Sequence, residues 1–301
     1  MYKRQVLDLA PLVTERPGAG ALPDGPVSVE LDGVRFGYPS ADTVSLASLE
    51  DVAVLDGRGG LEVLHDVSFR AGPGQMIALV GSSGAGKSTV AQLLARLYDV
   101  DAGSIRIGGV DVRDLTFDAV RGAIGFVTQD GHLFHDTVRA NLALARPVAT
   151  DDEIWDALRR ARLADVVAAL PDGLGTVVGE RGYRLSGGER QRLTIARLLL
   201  ARSRVIILDE ATAALDSTSE LAVQAALTEA MRDRTAVVIA HRLSTIRAAD
   251  VILVMEGGRI VERGDHTTLL AAGGRYSQLY RTQHGGLTDS TDSSAADTRA
   301  A

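Results

Sequence analysis

The chain has no cysteine, which excludes disulfides, thiolate chemistry and cysteine-based metal sites. It has no apolar run near the roughly 18 residues that a membrane-spanning helix requires, and no apolar signal-peptide core at its N-terminus. Any role at a membrane must therefore come through a partner or through a part of the protein outside this sequence. Long basic runs are missing as well, and the net charge of -7 speaks against a nucleic-acid partner. The densest basic cluster, "RRAR" at 159–162, sits beside acids such as Asp156 and Asp165 and reads as a solvated helix face. Lysine is nearly absent, with two against 30 arginines. One of the two, Lys3, lies in "MYKRQ", whose composition differs from everything after it and which is not expected to be a native start. The other is Lys87, in "ALVGSSGAGKST" at 78–89.

What remains is ordinary for a globular protein: 46% hydrophobic and 24% charged residues over 301 positions, enough for one large domain or two small ones. Residues 1–26 are rich in Pro and Gly and read as an extended linker. "VSVELDGVRFGYP" alternates like a strand through Val27, Val29 and Leu31, and "VLHDVSF" (63–69) reads as the next one. Between them, "SLASLEDVAVLD" within 42–62 is expected to form a short helix. "MIALV" (76–80), "RVIILD" (204–209), "TAVVIA" (235–240) and "DVILVM" (250–255) are short apolar runs of the kind buried in a parallel sheet. The spacing of Val90, Leu93, Leu94 and Leu97 predicts a helix from Lys87 to about Leu97. Residues 131–185 read as mainly helical, with 151–170 the clearest amphipathic stretch. The tail from Thr282 is small and polar and is expected to be disordered. Strands alternating with helices imply an α/β domain with a largely parallel sheet.

Three motifs carry chemistry. Gly81-Ser82-Ser83-Gly84-Ala85-Gly86-Lys87-Ser88, followed by Thr89, fits G-x-x-x-x-G-K-[ST] between an apolar strand and a helix. The glycines let backbone N–H groups wrap a polyphosphate, the helix N-terminus adds its positive end, and Ser88 offers a hydroxyl to Mg²⁺. The scarce lysine has its reason here: a compact point charge must thread to the phosphates, which the planar fork of arginine does less well. "VIILDE" ends in Asp209 and Glu210, at the strand end where an α/β sheet presents ligands. Asp209 would hold the Mg²⁺ shell and Glu210 would polarise an attacking water. In "LSGGE", Ser186 and Glu189 have capping-box spacing, so a helix with anion-ready N–H groups should begin there.

The phosphate loop, "LSGGE", "ILDEAT" and "AHR", in that order, resemble the nucleotide-binding domain of an ABC transporter from about Val27 to Arg281. The resemblance implies a P-loop NTPase core with a mostly parallel sheet, an N-terminal antiparallel β subdomain and an inserted helical subdomain over about 131–188. It implies that Tyr38 stacks on adenine, although a core aromatic beside Phe36 is the competing reading. It implies that Gln129 reaches Mg²⁺ and senses a membrane domain, and that His241, 31 residues after Glu210, contacts the γ-phosphate. Ser186, Gly187 and Gly188, with the D-loop Asp216, would face the ATP of a second domain in a head-to-tail dimer. "GERG" (179–182), the linker and the C-terminal segment resemble those of exporters. The implied setting is therefore an exporter's ATPase on the cytoplasmic face of the plasma (inner) membrane, attached to or associated with a transmembrane domain. Position 213 departs from the family pattern, being alanine where the D-loop usually has serine. An importer ATPase, a soluble ABC ATPase and a non-hydrolysing ATP-binding module are the competing readings.

Overall fold

The computed structural model describes residues 11–40, 60–128, 132–179, 182–209, 217–240 and 242–284. The strands are β1 (Val29–Gly37), β2 (Glu62–Ala71), β3 (Met76–Gly81), β4 (Ala102–Ile107), β5 (Val110–Asp111), β6 (Ile124–Val127), β7 (Asp136–Thr137), β8 (Val177–Val178), β9 (Val205–Asp209), β10 (Thr235–Ile239), β11 (Val251–Glu256) and β12 (Arg259–Gly264). The helices are α1 (Lys87–Leu94), α2 (Phe117–Ala123), α3 (Val138–Ala143), α4 (Asp151–Arg160), α5 (Ala164–Ala168), α6 (Gly187–Ala201), α7 (Ser217–Met231), α8 (Leu243–Ala248), α9 (His266–Ala272) and α10 (Arg275–His284). One sheet runs β12-β11-β3-β10-β9-β6, parallel except for the β11–β12 edge pair. A second, β2-β1-β4-β5, is antiparallel throughout, and β7 pairs with β8 in a small ribbon.

Strand residues alternate between opposite faces, and in a sheet covered on both sides each face becomes core. Ile77, Leu79, Ile207, Val237 and Leu253 belong to the cluster shared with the antiparallel sheet and α1. Their neighbours Ala78, Val80, Leu208, Val238 and Val254 belong to the cluster shared with α4, α6 and α7. The continuous apolar runs thus serve two interiors at once, and the antiparallel and helical regions are held to opposite faces of one sheet. The α/β core, the antiparallel subdomain and the helical region match the expected fold class.

Helix ends show where local chemistry decides. Thr150 and Glu153 form a capping box at the start of α4, whose first turn carries Asp151, Asp152 and Glu153 and whose last carries Arg159 and Arg160. The amphipathic stretch expected over 151–170 is not one helix. It breaks after Arg160, Arg162 takes a left-handed φ of 57°, and α5 restarts at Ala164. The helix predicted to reach Leu97 ends at Leu94, because Arg96 adopts φ 52° and turns the chain so that Leu97 is 54% exposed.

Arg96 goes inward instead. Its guanidinium donates to the carbonyls of Leu115 and Thr14 and lies 5.0 Å from the centre of the Phe117 ring. It therefore pins the N-terminal linker to the domain. Arg16 pairs with Asp114, the Phe117 amide donates to Glu15, and Leu22 is buried. At the other end α10 reaches His284, past the boundary expected at Thr282. The helix expected at "SLASLEDVAVLD" lies outside the described residues, and Glu62 opens β2.

Candidate functional site

β3 ends at Gly81 and α1 begins at Lys87, so the phosphate loop has the strand–loop–helix setting that its sequence demands. Glycine is obligatory at both hinges. A Cβ on Gly81 would stand 2.2 Å from the Met255 carbonyl of β11, and Gly86 caps α1 at φ 97°, where a Cβ would meet Leu64. Ser83, Gly84, Ala85, Gly86, Lys87, Ser88 and Thr89 line a cleft of about 420 Å³, together with Tyr38, Val63, Asp209 and Ile239.

Lys87 is buried, and its ammonium donates to the carbonyls of Gly81 and Ser82, each at 2.8 Å. Burial pulls its pKa below the ordinary lysine value, while the nearby Asp209 carboxylate acts in the opposite sense. The loop therefore folds around a desolvated positive charge with one face on the cleft. That is the electrostatic arrangement a polyphosphate requires.

Asp209 is the last residue of β9 and pairs with Ile239 across β10. Strands β3, β10, β9 and β6 are adjacent and parallel, so their C-terminal ends share one edge. The sequence continues from those ends into the phosphate loop, His241, Glu210 and Gln129 respectively. Gln129, Glu210, Asp216 and His241 lie outside the described residues. At the second motif, Ser186 caps α6 in a reciprocal capping box with Glu189, as its spacing predicts. Ser186 and Gly187 are exposed, and no residue of α6 lines the phosphate-loop cleft.

Tyr38 has contacts in the core and a place on the cleft. Its ring meets Phe36 and Tyr98 edge-on, with centroids 5.1 and 5.4 Å away, and its hydroxyl donates to Gln92 and shares a hydrogen bond with Thr89. Yet the same side chain lines the cleft. Tyr38→Ala is expected to weaken ATP binding about tenfold, or roughly 1.4 kcal/mol, with Tyr38→Phe within about threefold of wild type by titration calorimetry. A variant that loses melting temperature but keeps its affinity would leave Tyr38 as core alone.

Sequence reasoning missed Asn141 and Arg197. Asn141 is fully buried on α3, and its amide donates to the carbonyls of Phe134, Asp136 and Thr137 while its oxygen accepts from the Phe134 amide. Arg197 of α6 bonds both the side chain and the backbone carbonyl of Asn141, and reaches the His132 carbonyl at 2.7 Å. The pair ties the loop that follows position 131 to the helix that begins at the LSGGE motif. A lone Asn inside an apolar helical pattern is the signal that could have found it.

The family model described as ABC transporter matches residues 64–213. The chain is 51% identical over 259 residues to the mycobactin import ATP-binding/permease protein IrtA of Mycolicibacterium smegmatis, covering 86% of this chain and 28% of that protein. It is 47% identical over 266 residues to the ATP-dependent lipid A-core flippase of Chromobacterium violaceum, covering 88% and 42%. Among solved structures, a bacterial Atm1-family ABC exporter with ATP bound superposes with a TM-score of 0.80 at 41% identity, covering 93% of this chain and 46% of that one. The chain thus spans less than half the length of these relatives. With the phosphate-loop cleft and the two-sided sheet in place, the chain belongs to the ABC transporter family, as a nucleotide-binding domain.

Proposed function

We propose that this domain is the Mg²⁺-dependent ATPase motor of an exporter-type ABC transporter, acting as a head-to-tail dimer beneath transmembrane domains. The observation that carries this reading is the cleft in which buried Lys87, the Ser88 and Thr89 hydroxyls, Asp209 and Tyr38 meet at the C-terminal edge of the parallel sheet. The loop amides and Lys87 bind and orient the β- and γ-phosphates, and Tyr38 holds the base.

The oxygen donors Ser88 and Asp209 share this cleft, a donor set that suits Mg²⁺. These two residues, with Gln129, would hold the ion, which when bound neutralises charge on the phosphate oxygens. Glu210 accepts a proton from the attacking water, and His241 donates to the γ-phosphate. Ser186 caps a helix start outside this cleft, where Ser186 and Gly187 are exposed, and with Gly188 and Asp216 they serve the nucleotide of a partner domain. The membrane domains fix substrate and direction, and the proteins similar to this chain include one named for import and one named as a flippase.

Glu210→Gln should bind Mg-ATP without turning it over, so the closed dimer accumulates. Light scattering would then show about twice the monomer mass of 31.7 kDa with Mg-ATP and the monomer mass with ADP. A variant that stays monomeric under saturating Mg-ATP, alone and joined to its membrane domain, defeats the dimer reading.

A further inference from the structure

The "RRAR" cluster lies at the end of α4, and the fold brings a second basic segment against it. Arg159, Arg160 and Arg162 line a cleft of about 460 Å³ with Thr228, Glu229 and Arg232 of the α7 end. Four arginines thus surround one carboxylate in a protein whose net charge is -7. Glu229 is shared between Arg160 at 3.1 Å and Arg232 at 3.1 Å, and so neutralises neither fully. Among the described residues, Arg159 forms an ion pair with Asp156 alone, at 3.5 Å, with both side chains more than half exposed. Among the described residues, no ion pair engages the Arg162 guanidinium.

The half-buried Arg234, three residues beyond α7, senses the resulting field. Burial first, then the positive charge of Arg160, lowers its pKa, with Glu229 opposing. A solvated helix face explains Arg159. Basic residues in the last turn of α4 also suit its helix dipole. Neither account covers a concave site fed from two helices, with Arg162 held in a left-handed conformation past the helix end.

We propose that this cleft between the ends of α4 and α7 is a second anion site, separate from the nucleotide cleft, and that it takes a phosphate-bearing ligand. Guanidinium forks match phosphate oxygens in pairs, and several forks around one concavity favour a ligand with more than one phosphate charge. The site is linked to the LSGGE helix. Arg192 of α6 donates to the Arg162 carbonyl at 2.7 Å and to the Gly188 carbonyl at 3.3 Å, so the turn that carries Arg162 and the first turn of α6 share one side chain.

The probe is inorganic tripolyphosphate, titrated calorimetrically into protein saturated with ADP so that the phosphate loop is occupied. One saturable site with a dissociation constant below about 1 mM is expected, weakening at least about tenfold in Arg162→Gln/Arg232→Gln. Glu229→Gln removes the one carboxylate that lines the cleft among the described residues. It should tighten binding at least about threefold, which a misfolded variant could not do. A parallel arm uses vesicles containing phosphatidic acid. Co-sedimentation lost in the double variant would place the phosphate on a membrane lipid, and tripolyphosphate binding without vesicle binding would make the ligand soluble. No saturable binding of either probe, or equal affinity in wild type and both variants, overturns the proposal. Neither arm depends on hydrolysis or dimerisation, so its failure is distinguishable from failure of the motor reading.

Discussion

Lys87→Arg is expected to reduce ATP hydrolysis at least about a hundredfold, the scale seen when a preorganised donor to a developing oxyanion is lost. The substitution keeps the charge and changes its shape. The Lys87 ammonium sits 2.8 Å from both the Gly81 and Ser82 carbonyls, inside a loop whose hinges are fixed by the Met255 carbonyl and Leu64. A guanidinium is wider, and a loop with glycines at its points of closest contact has no room to give. Stability should move little or upward in Lys87→Met. Because burial holds the folded-state pKa of Lys87 below its unfolded value, the charged form costs stability. That cost is full below the lowered pKa and is relieved only as pH rises through it. Removing the charge near neutral pH therefore offsets the two hydrogen bonds lost. Phosphate release and calorimetric melting of Lys87→Arg and Lys87→Met test both halves. Retention of more than about a tenth of wild-type turnover in Lys87→Arg would show that the loop needs only a positive charge.

How much of the molecule is legible in its sequence differs by element, for physical reasons. The runs ending at Asp209 and Ile239 are readable because a strand buried on both faces is apolar at nearly every position. The loop from Gly81 to Ser88 is readable because steric and electrostatic demands leave few residue choices. β4, β6 and β12 carry no such individual signal. In β12 exposed and partly buried residues alternate, and β6 has only four residues. The end of α1 misleads for a different reason: Leu97 has helical spacing, but the contacts that draw Arg96 inward come from Thr14 and Leu115, far away in sequence. A helix boundary set by long-range partners leaves no local signature. Of the site residues, Tyr38, Ser83 to Thr89 and Asp209 line one cleft, Ser186, Gly187 and Gly188 stand at the start of α6 outside it, and Gln129, Glu210, Asp216 and His241 lie outside the described residues.

Asn141→Leu is expected to be the most destabilising single substitution outside the apolar core. Leucine keeps the same branched skeleton with no heavy atom removed, so no cavity forms and the hydrogen bonds are what is lost. It removes the side-chain acceptor of the Phe134 amide, one donor to each of the carbonyls of Phe134, Asp136 and Thr137, and one acceptor of Arg197. Burial already lowers the pKa of Arg197, so its charge depends on these partners more than a surface arginine would. A cost of about 3–5 kcal/mol is expected for such a network, or a melting-temperature drop of roughly 10 °C at about 2–4 °C per kcal/mol for a domain of this size. The pair also ties the 132–137 loop to the LSGGE helix, so turnover should fall even at temperatures where the variant is fully folded. A double-mutant cycle decides between a network and separate contacts. If Asn141→Leu and Arg197→Leu act through one network, the double variant should be more stable than the sum of the singles implies by at least about 1 kcal/mol. Additive losses, or a melting-temperature change under about 3 °C for Asn141→Leu alone, would mean that the loop and α6 are held together by packing, and that Asn141 merely fills its site.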